Sequence, residues 1–134
     1  MKRFLKFTFI LLTVAAVFSS CKKYDIDSLV GKWKMVHYAL IDKSGKEVYT
    51  VGETGIGNFI WIFEADGTVK HFEDNETSNY GTYTLNNNIL NLNGNEEYKI
   101  TKLSSKDLTL EAYDVDDSEL PNLKCLRLKF KKVD

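Results

Sequence analysis

The stretch "NFIWIFEADGTVKHFE", Asn58 to Glu73, holds the pattern from which the fold is read. Asn58 to Glu64 is apolar on both faces and rich in aromatic and β-branched residues, the composition of a deeply buried strand. Asp66-Gly67 comes next as a strong two-residue hairpin signal, because a tight turn between right-twisted strands needs residues that tolerate positive φ. Thr68 to Glu73 is then the partner strand.

The same cadence continues on both sides. Upstream, "GKWKMVHYALID", Gly31 to Asp42, is a long first strand, after a brief helical turn that Asp27 or Ser28 would cap. Downstream, Asn79 to Leu85, Ile89 to Asn93, Glu96 to Lys102, Asp107 to Tyr113 and Leu123 to Lys131 are alternating runs, separated by polar segments such as "EDNETS", "NNN", "GN" and "LSSK". The count is about eight strands, without a convincing helix among them. Connections this short join antiparallel neighbours, since a parallel crossover needs about a dozen residues or more. The expected fold class is therefore all-β, a single antiparallel up-and-down barrel, with a two-sheet β-sandwich as the alternative. Closure is favoured because it gives every apolar stripe a common inside and leaves no exposed edge. Alternation assigns to that inside Phe59, Trp61, Phe63, Val69, Tyr83, Leu85, Leu90, Leu92, Tyr98, Ile100, Leu108, Leu110, Leu126, Leu128 and Phe130.

A chain of 134 residues has room for one such domain. Its 43% hydrophobic content is too high for a disordered chain. The first residues stand apart from the domain. Lys2, Arg3 and Lys6 precede the uncharged run "FTFILLTVAAVF", Phe7 to Phe18. A bilayer core takes roughly 20 apolar residues as a helix, so this run reads as the apolar region of a signal peptide rather than a permanent span.

Immediately after this run, Ser19-Ser20-Cys21 resembles the lipobox of bacterial lipoproteins, in which small residues precede a cysteine whose thiol is acylated and whose amino group becomes the new terminus. The resemblance implies a signal peptide over residues 1–20, a tether over 21–28 and a barrel domain over 29–134, lipid-anchored to a membrane of the bacterial cell envelope, outside the cytoplasm. Each buried methylene contributes about 0.8 kcal/mol, so two or three acyl chains on Cys21 would hold essentially permanently. An ordinary secretory peptide cut near Ser20, with Cys21 a free thiol, is the other reading. Lys22 and Lys23 are too few for a lipid-recognition cluster and read as solvated linker charge. Cys125 is then without a partner in its own chain, and its strand-like surroundings favour burial.

Loss of Lys2, Arg3 and Lys6 with the leader would take the formal net charge from −1 to −4. A mildly acidic domain is poorly suited to nucleic acid, whose phosphates dominate such affinities.

At Gly31-Lys32-Trp33 the chain is similar to the Gly-x-Trp signature on the first strand of lipocalins. The segments "IFEADGTV", "GTYTL", "NILNL" and "DLTLE" resemble the strand and turn cadence of small bacterial lipocalin-like lipoprotein domains. The resemblance implies that Trp33 packs near the closed end of the barrel with a late arginine across it. Arg127, the sole arginine after the leader, is the candidate for that cation–π contact. It further implies binding of a small hydrophobic or amphipathic ligand in a cavity lined by Trp33, Phe59, Trp61, Phe63, Tyr83, Tyr98 and Phe130. The glycine-rich segment Ser44 to Asn58 would be a lid loop beside the entrance. A protein-interaction or inhibitory module with a packed barrel interior is the alternative.

Catalysis and cofactor chemistry find little support. "GETGIG" lacks both the succeeding helix and the Gly-Lys-Ser/Thr of a phosphate loop. His37 and His71 fall in separate strands, with no nucleophile constellation and no zinc spacing around them. "DVDDSEL", with Asp114, Asp116, Asp117 and Glu119, lacks the glycine and glutamate spacing of a calcium loop and reads as a solvated acidic loop. The expectation is a binding protein, not an enzyme, with no cofactor or metal. Its partners would be the membrane, reached through lipid on Cys21, and a small apolar ligand.

Overall fold

Strand β1, Gly31–Asp42, organises the whole sheet through its two edges. The structure is a computed structural model, and it describes residues 23–113, 115, 120 and 122–134. One edge of β1 pairs along nearly its full length with the last strand, β9 (Leu123–Val133), from Lys32 opposite Val133 to Asp42 opposite Leu123. The other edge is shared. Gly31 to Lys34 pair with β3 (Ile60–Phe63), and His37 to Ile41 pair with β2 (Glu47–Gly52).

From β3 each strand pairs with its successor through β4 (Thr68–Glu73), β5 (Glu76–Asn86), β6 (Ile89–Leu92), β7 (Glu96–Leu103) and β8 (Asp107–Ala112) to β9. Because β9 returns to β1, eight antiparallel strands close into a barrel and β2 is a ninth strand hung on the upper half of β1. The barrel, not the sandwich, is the fold. Closure gives each barrel strand a hydrogen-bonded neighbour on both sides, which is the physical advantage of this architecture over an open sheet.

Four local expectations need correction. The segment Ser44 to Asn58 is not a loop throughout: it contains β2 and one helical turn, α2 (Glu53–Ile56). The short helix before β1, α1 (Ile26–Leu29), is capped by Asp25, whose side chain accepts from the Asp27 N–H. The hairpin after β3 exists, but its Asp66-Gly67 pair is not a two-residue turn. The Gly67 N–H bonds Glu64 and the Glu64 N–H bonds Thr68, so three residues form the loop and Gly67 alone takes the left-handed conformation, at φ 92°. The two-residue turn with both centres at positive φ is instead Asp74-Asn75, inside a stretch expected to be a polar loop; β5 consequently begins at Glu76.

Tyr24 donates its N–H to the Asn87 carbonyl and packs against the core, so the folded unit begins before residue 29.

Every residue assigned to the inner face by alternation lies in the core or packs against it; Phe59, Leu85, Tyr98 and Leu126 are the half-buried ones. Each large apolar side chain so buried contributes about 1.5–3 kcal/mol. Strand β1 changes face midway. Its pairing with β9 skips from Met35 opposite Phe130 to His37 opposite Lys129, leaving Val36 as a bulge. Trp33 and Met35 point inward below it, Tyr38 packs inward above it, and Ala39 and Ile41 turn outward to form a second small cluster with Cys125. The thiol is fully buried there.

Candidate functional site

At the closed end, α1 folds under the barrel and Trp33 donates its indole N–H to the Leu29 carbonyl over 2.8 Å. The cation above Trp33 is Lys132, not Arg127. The Lys132 ammonium stands 4.6 Å from the ring centre and donates to the Val30 carbonyl at 3.0 Å. Gly31 makes room for it: a Cβ there would lie 2.5 Å from Lys132 Cε. Arg127 lies opposite Ala39, on the outward face, and donates from Nε to Glu111 at 2.8 Å. Alternation explains the difference, since Trp33 sits opposite Lys132 in the register.

The middle of the barrel is filled by its own rings. Trp61 stacks on Phe130 at 5.3 Å and meets Phe63 edge-on at 6.1 Å, and Phe63 meets Tyr83 edge-on at 5.0 Å. Of the aromatics expected to line a cavity, Trp33, Trp61, Phe63, Tyr83 and Phe130 are at most 4% exposed and form this packed floor. Tyr83 is further fixed by its hydroxyl, which donates to the Glu64 carbonyl at 2.7 Å. The Trp61 indole N–H is buried without an acceptor among the described residues.

Above this floor the barrel opens. A cavity of about 390 Å³, open to solvent, is lined by Met35, Tyr38, Tyr49, Val51, Ile56 and Phe59. Its position is set by the divided edge of β1. Where β1 leaves β3 and takes up β2, helix α2 bridges the gap, and the apolar side chains of β1, β2, α2 and the approach to β3 converge on the space between. Phe59 is the one expected cavity residue that lines it. Sequence reasoning missed Met35, Tyr38, Tyr49, Val51 and Ile56, although the alternating "EVYTV" at Glu47 to Val51 carries a strand signal of its own.

Beside it lies a second, more polar hollow of about 260 Å³, lined by Asn95, Glu96, Glu97, Tyr98 and Ala112. Glu96 points inward from β7 and is clasped by phenols. The Tyr80 hydroxyl lies 2.8 and 2.7 Å from its two oxygens, and the Tyr98 hydroxyl 3.4 Å from Oε1. Burial, and after it the Glu96 charge, push the Tyr98 phenol up to about 12; burial and the Glu96 hydrogen bond raise Tyr80 as well. Both hydroxyls thus stay protonated donors at neutral pH.

The histidines remain apart. His37 pairs with Glu47 at 3.2 Å on the outside, and His71, 3.2 Å from Glu73, packs its ring against Phe59 at 4.9 Å. Among the described residues no group of three or more His, Cys, Asp or Glu side chains is placed to hold a metal. Cys21 and the acidic residues Asp114, Asp116, Asp117 and Glu119 lie outside the described residues.

No curated protein and no solved structure matches this sequence. The family model described as "Lipocalin-like domain" matches residues 29–110, which takes in both histidines, the packed floor except Phe130, and all the residues of the mouth cavity. With more than half of its length matched, and with the closed eight-stranded barrel that the name implies, the chain belongs to the family of lipocalin-like domains.

Proposed function

We propose that this lipocalin-like domain is a lipid-anchored binding protein of the bacterial cell envelope, attached through Cys21, which takes up a small apolar or amphipathic molecule at its mouth. The observation that carries the reading is the apolar cavity of about 390 Å³, since ligand pockets commonly have volumes of roughly 300 Å³ or more. The site is the shallow cup between β1, β2 and α2. The barrel centre is too full of aromatic rings to be the seat.

The anchor rests on the sequence: a basic start, a short apolar run and Ser19-Ser20-Cys21. Tyr24 is fixed to Asn87, in the β5–β6 turn at the closed end. An anchor three residues earlier would therefore turn the closed end to the membrane and the mouth away from it. Nothing in this arrangement requires chemistry on the ligand, and we read the protein as a binder rather than an enzyme.

The test is native mass spectrometry of the protein purified from its own cells. Diacyl or triacyl mass on a chain beginning at Cys21, together with a co-purifying small molecule, is the expected result. A chain with a bare thiol at Cys21 would overturn the anchor, and failure to bind any apolar probe would overturn the ligand site.

A further inference from the structure

The two hollows at the mouth differ in chemistry, and Glu96 is the feature that distinguishes them. Of the other partly or fully buried carboxylates of the barrel, Glu64 has Lys70 beside it, Asp107 has Lys131 and Lys102, and Glu111 has Arg127, while Asp42 is spent on its own turn, accepting from Ser44 and from the Lys46 N–H. Glu96 forms no ion pair with any described Lys, Arg or His. Its oxygens are met by the Tyr80 and Tyr98 phenols instead. Phenols orient a carboxylate and lower its desolvation cost, but they leave its charge in place.

The rings holding that charge are themselves suited to a cation. Tyr80 and Tyr98 flank Trp61 at 6.0 and 5.9 Å between ring centres, so a carboxylate and three electron-rich rings converge on one corner of the mouth. A cation near such rings is attracted by their electron-rich faces. The corner borders the apolar cup through Phe59, which lines the cup and lies 5.9 Å from Trp61 between ring centres.

We propose that the ligand is an amphiphile with a cationic head, a protonated amine or quaternary ammonium, whose apolar body lies in the cup and whose head is held by Glu96 beside Tyr80 and Tyr98. This rests on the ligand-binding reading above and narrows its class. The head displaces no protein cation, and the carboxylate is already oriented before it arrives.

The experiment titrates the full chain, monitored by tryptophan fluorescence, with three probes sharing a ten-carbon tail: decyltrimethylammonium, decanol and decanoate, each kept below its micelle concentration. The ammonium should bind tightest, at least tenfold more tightly than decanoate. Glu96→Gln keeps an acceptor for the phenols, and should weaken the ammonium about tenfold while leaving decanol unchanged, which also shows that the variant is folded. Glu76→Gln removes the same charge from an exposed position outside the hollow and should change little. Equal affinity for the ammonium and decanoate, or equal losses in Glu96→Gln and Glu76→Gln, would overturn the cationic head while the apolar site stands. If no probe binds, both readings fail.

Discussion

Lys132 and Trp33, paired across the β1–β9 ladder, form a cation–π contact of 4.6 Å at the closed end of the barrel. Lys132→Met keeps a hydrocarbon chain over the ring but removes the charge and the bond to Val30. The expected loss is about 1–3 kcal/mol, read from the urea midpoint. Arg127→Met should leave the Trp33 fluorescence where it is; a shift as large as that of Lys132→Met would contradict the assignment. Gly31→Ala forces a methyl into the Lys132 side chain at a backbone φ of 137°, and should cost roughly 1–3 kcal/mol by the same measurement.

Acid sensitivity should centre on Glu111. Burial by itself would raise its pKa, but hydrogen bonds from the Tyr113 phenol and the Arg127 guanidinium prevail and hold it below the ordinary 4.5. A folded value lower than the unfolded one means that the ionised group stabilises the fold at neutral pH, and that this contribution fades as pH falls from about 4.5 through the folded value. Glu111→Gln should therefore lose about 1.5–3 kcal/mol at pH 7 and progressively less in acid. Urea midpoints measured from pH 7 to pH 3 check this, and a gap that stays constant would contradict it.

Thiol titration separates the two cysteines. Cys125 is fully buried, and burial, reinforced by the Glu111 carboxylate, raises its pKa, so a disulfide reagent should find it inert in the native protein. In urea, protein from its own cells should release one equivalent, from Cys125. Two equivalents would mean that Cys21 carries no lipid.

The mouth and the floor should respond differently to substitution. Val51→Trp fills the cup from a half-exposed position, and should weaken a neutral probe such as N-phenylnaphthylamine at least tenfold while moving stability by no more than about 0.5 kcal/mol. Phe63→Leu should do the reverse, costing about 1–2 kcal/mol of stability and sparing the probe. Fluorescence binding and urea curves on both variants decide it.

The inner face was legible because period-two alternation is a direct imprint of a closed sheet, and residues such as Trp61, Leu90 and Leu110 obey it without interruption. The cup was not, because it depends on where one strand exchanges partners. Nothing local to Tyr38 or Val51 records that β1 leaves β3 for β2. The exchange of Arg127 for Lys132 over Trp33 was hidden for a similar reason. Both cations sit on β9, and the cross-strand register, rather than composition, decides which of them meets the ring.

The bulge at Val36 makes one strand serve two neighbourhoods of opposite orientation. If Val36 were drawn into the ladder opposite Lys129 in place of His37, strict alternation would present Ala39 and Ile41 to the cup and turn Tyr38 out beside Cys125, exchanging the linings of both at once. Point replacements along the strand can be absorbed one side chain at a time. A slip of its register cannot, so the odd spacing from Trp33 to Tyr38 is held by arithmetic as well as by chemistry.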